Sequence, residues 1–387
     1  MELLGLTAGE IETAGAHWTA REIAQQPQLW PQIARLVCED SALAGFLAQW
    51  DADARPRVVL TGAGTSSFIG ECLAPSLARQ GWPRTEAIAT TDIVASPGSF
   101  LVRHVPTLMV HFARSGNSPE SVAAMELAAQ GIDRCCHLVI TCNERGELYQ
   151  RGRRIDHTRV VLLPEASNDQ SFAMTSSFTG MLLAAATALQ VVPADDARLA
   201  RLAAIGRRVL DSGVARLRSL VEARFERVVF LGSKELKGLA REAALKMLEL
   251  TDGRVISLAD SPLGFRHGPK TILNGNTLVV AFLSNDAHAR RYELDLLTEL
   301  RRDAVAGSII ALAGRDEGAG HADTLALGAD AAALTDLELC LPYAVFAQAL
   351  ALLRSLSLGL TPDNPNAAGT VNRVVRGVSI YPYGAEQ

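Results

Sequence analysis

Two short loops in the first third of the chain carry the residue types best suited to hold an oxyanion. Gly62-Ala63-Gly64-Thr65-Ser66-Ser67 follows an apolar run at residues 58–60, and Ala113-Arg114-Ser115-Gly116-Asn117-Ser118 follows another at 108–112. Both offer small hydroxyl side chains and open backbone amides. Ser118-Pro119 also reads as the N-cap and first position of a helix, whose N–H groups and positive dipole end favour an anion. Thr65, Ser66, Ser115 and Ser118 are therefore the expected ligands of a phosphate monoester, with Arg114 as a charged addition. Either loop alone fits a neutral turn equally well, because glycine and serine populate strand-to-helix connections anyway. The first lacks the third glycine of the dinucleotide fingerprint, and no P-loop lysine follows. Two such loops at strand ends favour the phosphate.

A second set of residues suits proton transfer. In Arg241-Glu242-Ala243-Ala244-Leu245-Lys246-Met247-Leu248-Glu249-Leu250, the residues Glu242, Lys246 and Glu249 stand at i, i+4 and i+7 and share one helical face. Downstream, Asp260-Ser261-Pro262-Leu263-Gly264-Phe265-Arg266-His267-Gly268-Pro269-Lys270 sets His267 in a glycine-bounded loop. Taken singly, the stripe reads as a solvated charged face and the histidine as a surface residue. A carboxylate and an imidazole near a phosphate pocket are also the acid-base equipment of sugar phosphate chemistry, each contributing roughly 10²- to 10⁴-fold.

The elements that must position these residues recur. Val58-Val59-Leu60-Thr61-Gly62 has a counterpart in Val228-Val229-Phe230-Leu231-Gly232; Leu108, Val110 and Phe112 match Leu278, Val280 and Phe282; Val139-Ile140 match Ile309-Ile310. The offset is 170 positions each time, with no gap (58 to 228, 108 to 278, 139 to 309). Helical patterns at residues 70–80, 119–130, 239–250 and 288–302 alternate with these strands. Short continuous apolar strands alternating with helices predict an α/β chain of two tandem doubly wound parallel sheets with helices on both faces, with ligands beyond the carboxyl ends of the strands. The expected division is a helical N-terminal extension at 1–50, a first, phosphate-binding domain at 51–194, a helical connector at 195–224, and a second domain with its tail at 225–387. At the loop positions of the second copy stand Gly232-Ser233-Lys234-Glu235 and Ser284-Asn285-Asp286, whose carboxylates would repel phosphate. One copy is expected to bind the anion while the other serves the proton chemistry.

Composition narrows the class. The 387 residues are 48% apolar and 20% charged with a net charge of -5, which suits a globular protein and gives no basic face for nucleic acid. The apolar stretch at 181–192 is interrupted by Thr187 and Gln190 and is too short for a bilayer span, so no membrane partner is expected. The start, with Glu10 and Glu12, resembles no targeting segment, so a cytoplasmic location is expected. Six scattered cysteines without a CxxC pair read as reduced thiols, and eight histidines without HxH or HExxH spacing predict no metal site.

The paired copies, the Ser-Gly-Asn-Ser loop, the Glu242/Lys246/Glu249 helix and the RHGPK loop together resemble the sugar isomerase (SIS) domain family, in particular two-domain members such as the isomerase half of glucosamine-6-phosphate synthase. TGAGTSSFIG, FARSGNSPESVAA, ITCNE, FAMTSS, DSPLGFRHGPK and TPDNPNAAGTVNRVVRGV are most similar to a bacterial branch of galactosamine-6-phosphate deaminases/isomerases, also called tagatose-6-phosphate ketose/aldose isomerases. The resemblance implies phosphate binding by Thr65, Ser66, Ser115 and Ser118, proton shuttling by Glu249, a helix lysine at Lys246 and ring opening by His267. It also implies that the histidine comes from a neighbouring subunit, so that a homodimer or larger homo-oligomer carries the active site at its interface. Where the synthase has a glutamine in the second loop, this chain has Arg114. The synthase also ends in an active-site lysine, whereas this chain has none after Lys270, so a Schiff base from a terminal lysine is not expected. Nor is an amidotransferase domain expected upstream, which suits release of ammonia. The expected reaction is conversion of a small phosphorylated amino sugar, galactosamine 6-phosphate, to tagatose 6-phosphate and ammonia without a cofactor. Isomerisation of a neutral hexose phosphate and phosphosugar sensing without catalysis are the alternatives.

Overall fold

The protein is described by a computed structural model covering residues 2–51, 56–82, 84–315, 323–375 and 377–383. Residues 384–387, which form the lysine-free end of the tail, lie outside the described residues. Central strands that are apolar throughout should be buried on both faces, and they are: every residue of β1 (Arg57–Thr61) and β3 (Thr107–Ala113) is buried. With β2 (Thr85–Ala87), β4 (Cys135–Thr141) and β5 (Thr158–Leu162) they form an all-parallel sheet of order β2-β1-β3-β4-β5. A second parallel sheet holds β6 (Arg227–Gly232), β7 (Ile256–Asp260), β8 (Thr277–Leu283), β9 (Ser308–Ala313) and β10 (Thr324–Ala326). Its order, β10-β9-β8-β6-β7, is the same arrangement read from the other edge. Even the register repeats, since Val58 faces Leu108 and Val228 faces Leu278.

Helices cover both faces of each sheet. Against the first sheet, Val59 and Met109 pack with Ile93, Ala124, Ala128 and Ile132. Against the second, Val229, Leu231 and Val279 pack with Phe265, Leu296 and Leu300. Full burial of one such aliphatic side chain contributes about 1.5–3 kcal/mol, so each face is a strong constraint on register. The helices after β1 and β6 begin earlier than periodicity suggests, at Thr65–Arg79 and Glu235–Leu250. Their first turns hold polar residues that read as loop, although a helix N-terminus accommodates them well.

By contact the chain divides into two compact units, each drawn from several segments. One comprises Met1–Gln28, Gln170–Thr175 and Asp196–Ala367; the other comprises Leu29–Asp169, Ser176–Asp195 and Ala368–Gln387. In the former, Asp363 accepts hydrogen bonds from the amides of Trp18 and Thr19 at 3.0 and 2.8 Å, which brings the early helix to a loop more than 300 residues away. The residues expected to be a helical connector form two helices, Asp196–Asp211 and Val214–Glu222. Among the described residues one helix, Asp336–Ser357, is long and apolar enough to cross a membrane, a feature the composition reading missed. Nearly all of it is buried within its unit, as the core helix of a globular domain would be.

A titratable pair lies inside the first sheet. His111 on β3 and His137 on β4 share a hydrogen bond between Nε2 and Nδ1 at 3.0 Å, both fully enclosed. Burial lowers His137 from 6.5 to about 4, and burial with the neighbouring imidazole holds His111 well below its ordinary value. The folded state thus refuses protons that the unfolded chain accepts. Stability is complete above pH 6.5 and is lost as pH falls from there toward 4; the His137 shift alone corresponds to about 3 kcal/mol. Urea unfolding at stepped pH should show this acid limb, and His137→Gln should make it shallower. An unchanged limb in the variant would contradict the assignment.

Candidate active site

The order β2-β1-β3 reverses direction between β1 and β3, and in open parallel sheets the crevice at such a switch point is where ligands gather. Both hydroxyl-rich loops leave the sheet there. Gly62 lets the first loop turn tightly, because a Cβ at that position would lie 2.6 Å from that of Ser66. Gly64 then adopts φ 55° and ψ -128° and delivers Thr65 and Ser66 into the first helical turn, where both are buried. The second loop is braced from β4: Asn143 donates through Nδ2 to the Ser115 carbonyl at 2.8 Å, and the Glu147 amide donates to Asn117 Oδ1 at 3.0 Å. Ser115 Oγ accepts from the Asn117 amide at 3.3 Å. Ser118 occupies the N-cap position before Pro119 as expected, but its hydroxyl donates to Glu120 at 2.7 Å instead of capping. Glu120 thus brings a carboxylate to the loop. The sequence hid its relevance because an acid in a first helical turn is an ordinary dipole partner.

Arg114 is buried, and its Nη2 donates to the carbonyl of Arg373 at 2.6 Å. Arg373 in turn donates through Nε to the Asp169 carbonyl at 3.0 Å, while the Asp169 carboxylate accepts from the amides of Ser176 and Ser177 at 2.9 Å each. Arg114 therefore ties the C-terminal segment to the end of β3.

At the matching switch point of the second sheet the chain supplies its own anions. Lys234 repeats the Gly64 backbone with φ 53° and ψ -122°, a conformation that costs a side-chain-bearing residue free energy. Its ammonium is held 3.0 Å from Asp336 and 3.5 Å from Asp286. Asp336 accepts from the Asn285 amide at 2.7 Å and the Ser284 hydroxyl at 2.5 Å, and Glu293 accepts from the Ser284 amide at 2.8 Å. Burial pushes Glu293 up to about 7. Carboxylates rather than a ligand satisfy these strand-end donors.

The acid-base residues occupy the same unit. In the Glu235–Leu250 helix, Leu236, Leu239, Ala243, Met247 and Leu250 bury one face, and Lys246 is enclosed with them at 0% exposure. Its Nζ bonds to Glu249 and lies 3.5 Å from Glu242, which is also buried. Glu249 alone of the three reaches solvent, with 25% of its side chain exposed. Burying an ammonium costs several kcal/mol unless it is paired, so this lysine requires its carboxylates. His267 stands elsewhere in the unit, exposed on the loop that follows β7. The helix leaves the carboxyl end of β6 and runs back along the sheet, so Glu249 lies about 20 Å along it from that edge. His267 follows Phe265, which packs with Leu258, Leu296 and Leu300 on one face of the sheet, whereas Ser257, on the alternate side of β7, donates to the Ala244 carbonyl of the Glu249 helix. A single copy of the unit thus places the Glu249 helix and the His267 loop on opposite faces of one sheet.

Lys246→Met should lower stability by about 3–5 kcal/mol in urea unfolding, because it strands buried Glu242, and adding Glu242→Leu should recover much of the loss. A loss under about 1 kcal/mol would show that the charge is not enclosed as described.

No family model matches the chain. It is 42% identical over 382 residues to D-galactosamine-6-phosphate deaminase AgaS of a Shewanella species, covering 98% of this chain and 95% of that protein. It is 43% identical over 377 residues to the Escherichia coli protein of the same name, covering 95% and 96%. The crystal structure of tagatose-6-phosphate ketose/aldose isomerase from Escherichia coli superposes with a TM-score of 0.84 at 39% identity, covering 95% of this chain and 97% of that one.

Proposed function

Since this chain belongs to the D-galactosamine-6-phosphate deaminase family of sugar isomerase (SIS) domain proteins, we propose that it converts galactosamine 6-phosphate and water to tagatose 6-phosphate and ammonia. The observation that carries this reading is Glu249, a partly exposed carboxylate bonded to a fully buried ammonium. Thr65, Ser66, Ser115 and Ser118 hold the phosphate at the β1/β3 switch point, with helix amides behind them. His267 moves the proton that opens the sugar ring. Glu249 then takes the C2 proton and returns it at C1 through an enolamine. The product is a C2 ketimine, and water adds to it and expels ammonia. Substrate nitrogen supplies the imine, so the sequence of steps calls for no cofactor. Lys246 acts through Glu249, keeping a counter-charge beside the base and its field near the developing enolate oxygen.

The placement of the Glu249 helix and the His267 loop on opposite faces of one sheet supports a homo-oligomer in which one subunit lends its histidine to another. In this reading the substrate domains are residues 51–194 and 225–387, and the enzyme works in the cytoplasm on a small metabolite. The isomerase name of the similar Escherichia coli protein favours a second reading, aldose-ketose isomerisation of a neutral hexose phosphate by the same proton transfer.

Glu249→Gln should reduce ammonia release by about 10²- to 10⁴-fold while phosphosugar binding, read by calorimetry, persists. Near-normal turnover would sink the assignment. His267→Ala should lose more activity on the cyclic substrate than on an analogue lacking both the C4 and C5 hydroxyls, which can close neither a furanose nor a pyranose ring. Equal losses would contradict ring opening.

A further inference from the structure

The His267 loop is fastened from both sides by one carboxylate. Arg266, immediately before the histidine, donates through Nε to Glu299 Oε2 at 2.8 Å and through Nη2 to Asp295 at 2.9 Å. Lys270, three residues after it, donates to Glu299 Oε1 and to Asp303 at 2.6 Å. Asp295, Glu299 and Asp303 are spaced by four on the Ala287–Asp303 helix and so present one acidic face. Each oxygen of Glu299 takes one cation, and exposed His267 lies between the two cations in the chain. Beneath, Phe265 is fully buried against Leu296 and Leu300 of the same helix. Within the loop, Ser261 Oγ accepts from the Gly264 amide at 3.1 Å, and the His267 amide donates to the Gly264 carbonyl at 2.9 Å. Gly268 closes the turn at φ 117°, where a side chain would be strained.

From this geometry we infer that Glu299 is a positioning residue for ring opening: by clamping Arg266 and Lys270 together it fixes where His267 presents its imidazole. The inference rests on the ring-opening role proposed for His267. Partly exposed ion pairs contribute little to stability, on the order of 0–1 kcal/mol each, so a purely structural role would leave catalysis nearly untouched when one is removed. Positioning errors near 1 Å, by contrast, cost up to about 10²-fold in rate.

The test compares Glu299→Gln with the unaltered protein on galactosamine 6-phosphate and on the open-chain analogue lacking the C4 and C5 hydroxyls, with thermal unfolding as a check on folding. We expect kcat/KM on the cyclic substrate to fall by about 10- to 100-fold, turnover of the analogue to be retained, and the melting temperature to stay close to that of the parent. Asp295→Asn with Asp303→Asn, which removes only the outer partners, should give a smaller loss with the same substrate selectivity. Equal losses on both substrates, or no loss on either, would overturn the clamp. If His267→Ala discriminates between the substrates while Glu299→Gln does not, only the clamp fails. If His267→Ala does not discriminate, the ring-opening reading fails with it.

Discussion

The ammonium of Lys246 is the constraint from which much of the second-sheet unit follows. A positive charge at 0% exposure inside an apolar helix face is tolerable only if carboxylates meet it, and Glu242 and Glu249 do so from its own helix. Glu242 is sacrificed to the interior, which leaves Glu249 as the member of the trio that reaches outward. The helix cannot rotate to expose the lysine without withdrawing Leu239, Ala243 and Met247 from the core. The orientation of the proposed base is therefore set by hydrophobic burial and charge pairing together.

A second constraint is common to both sheets. Parallel strands that end at a switch point leave amide donors converging on one crevice, and such donors call for an anion. In the first-sheet unit the loops at Thr65 and Ser115 present hydroxyls and glycine-enabled turns toward that role. In the second-sheet unit Asp336 accepts from both Ser284 and Asn285, so the anion is part of the chain. Gly64 and Lys234 share one backbone conformation at equivalent positions, and the lysine holds it while bridging Asp286 and Asp336. The same turn thus serves an incoming ligand in one sheet and an internal ion pair in the other.

Much of this was legible in the sequence because it is local. The 170-residue spacing of apolar strands, the glycines at 62 and 232, and the Glu242/Lys246/Glu249 spacing all appear as short patterns, and the sheets carry them in matching register. What escaped reading depends on residues far apart in the chain. Nothing near Arg114 announces that its partner is the Arg373 carbonyl, and nothing near Ser115 points to Asn143 as its brace. Asp295, Glu299 and Asp303 look like an ordinary solvated helix face until Arg266 and Lys270 are placed against them. The early starts of two helices were hidden because first-turn polar residues are also loop residues.

The relatives carry two names, a deaminase and a ketose/aldose isomerase, and the chemistry separates them by the fate of one nitrogen. The most direct measurement is to incubate the purified protein with galactosamine 6-phosphate and quantify ammonia and tagatose 6-phosphate in the same sample over time. The two are expected to rise together in equal amounts. Turnover of a neutral hexose phosphate with no ammonia formed from the amino sugar would contradict this expectation.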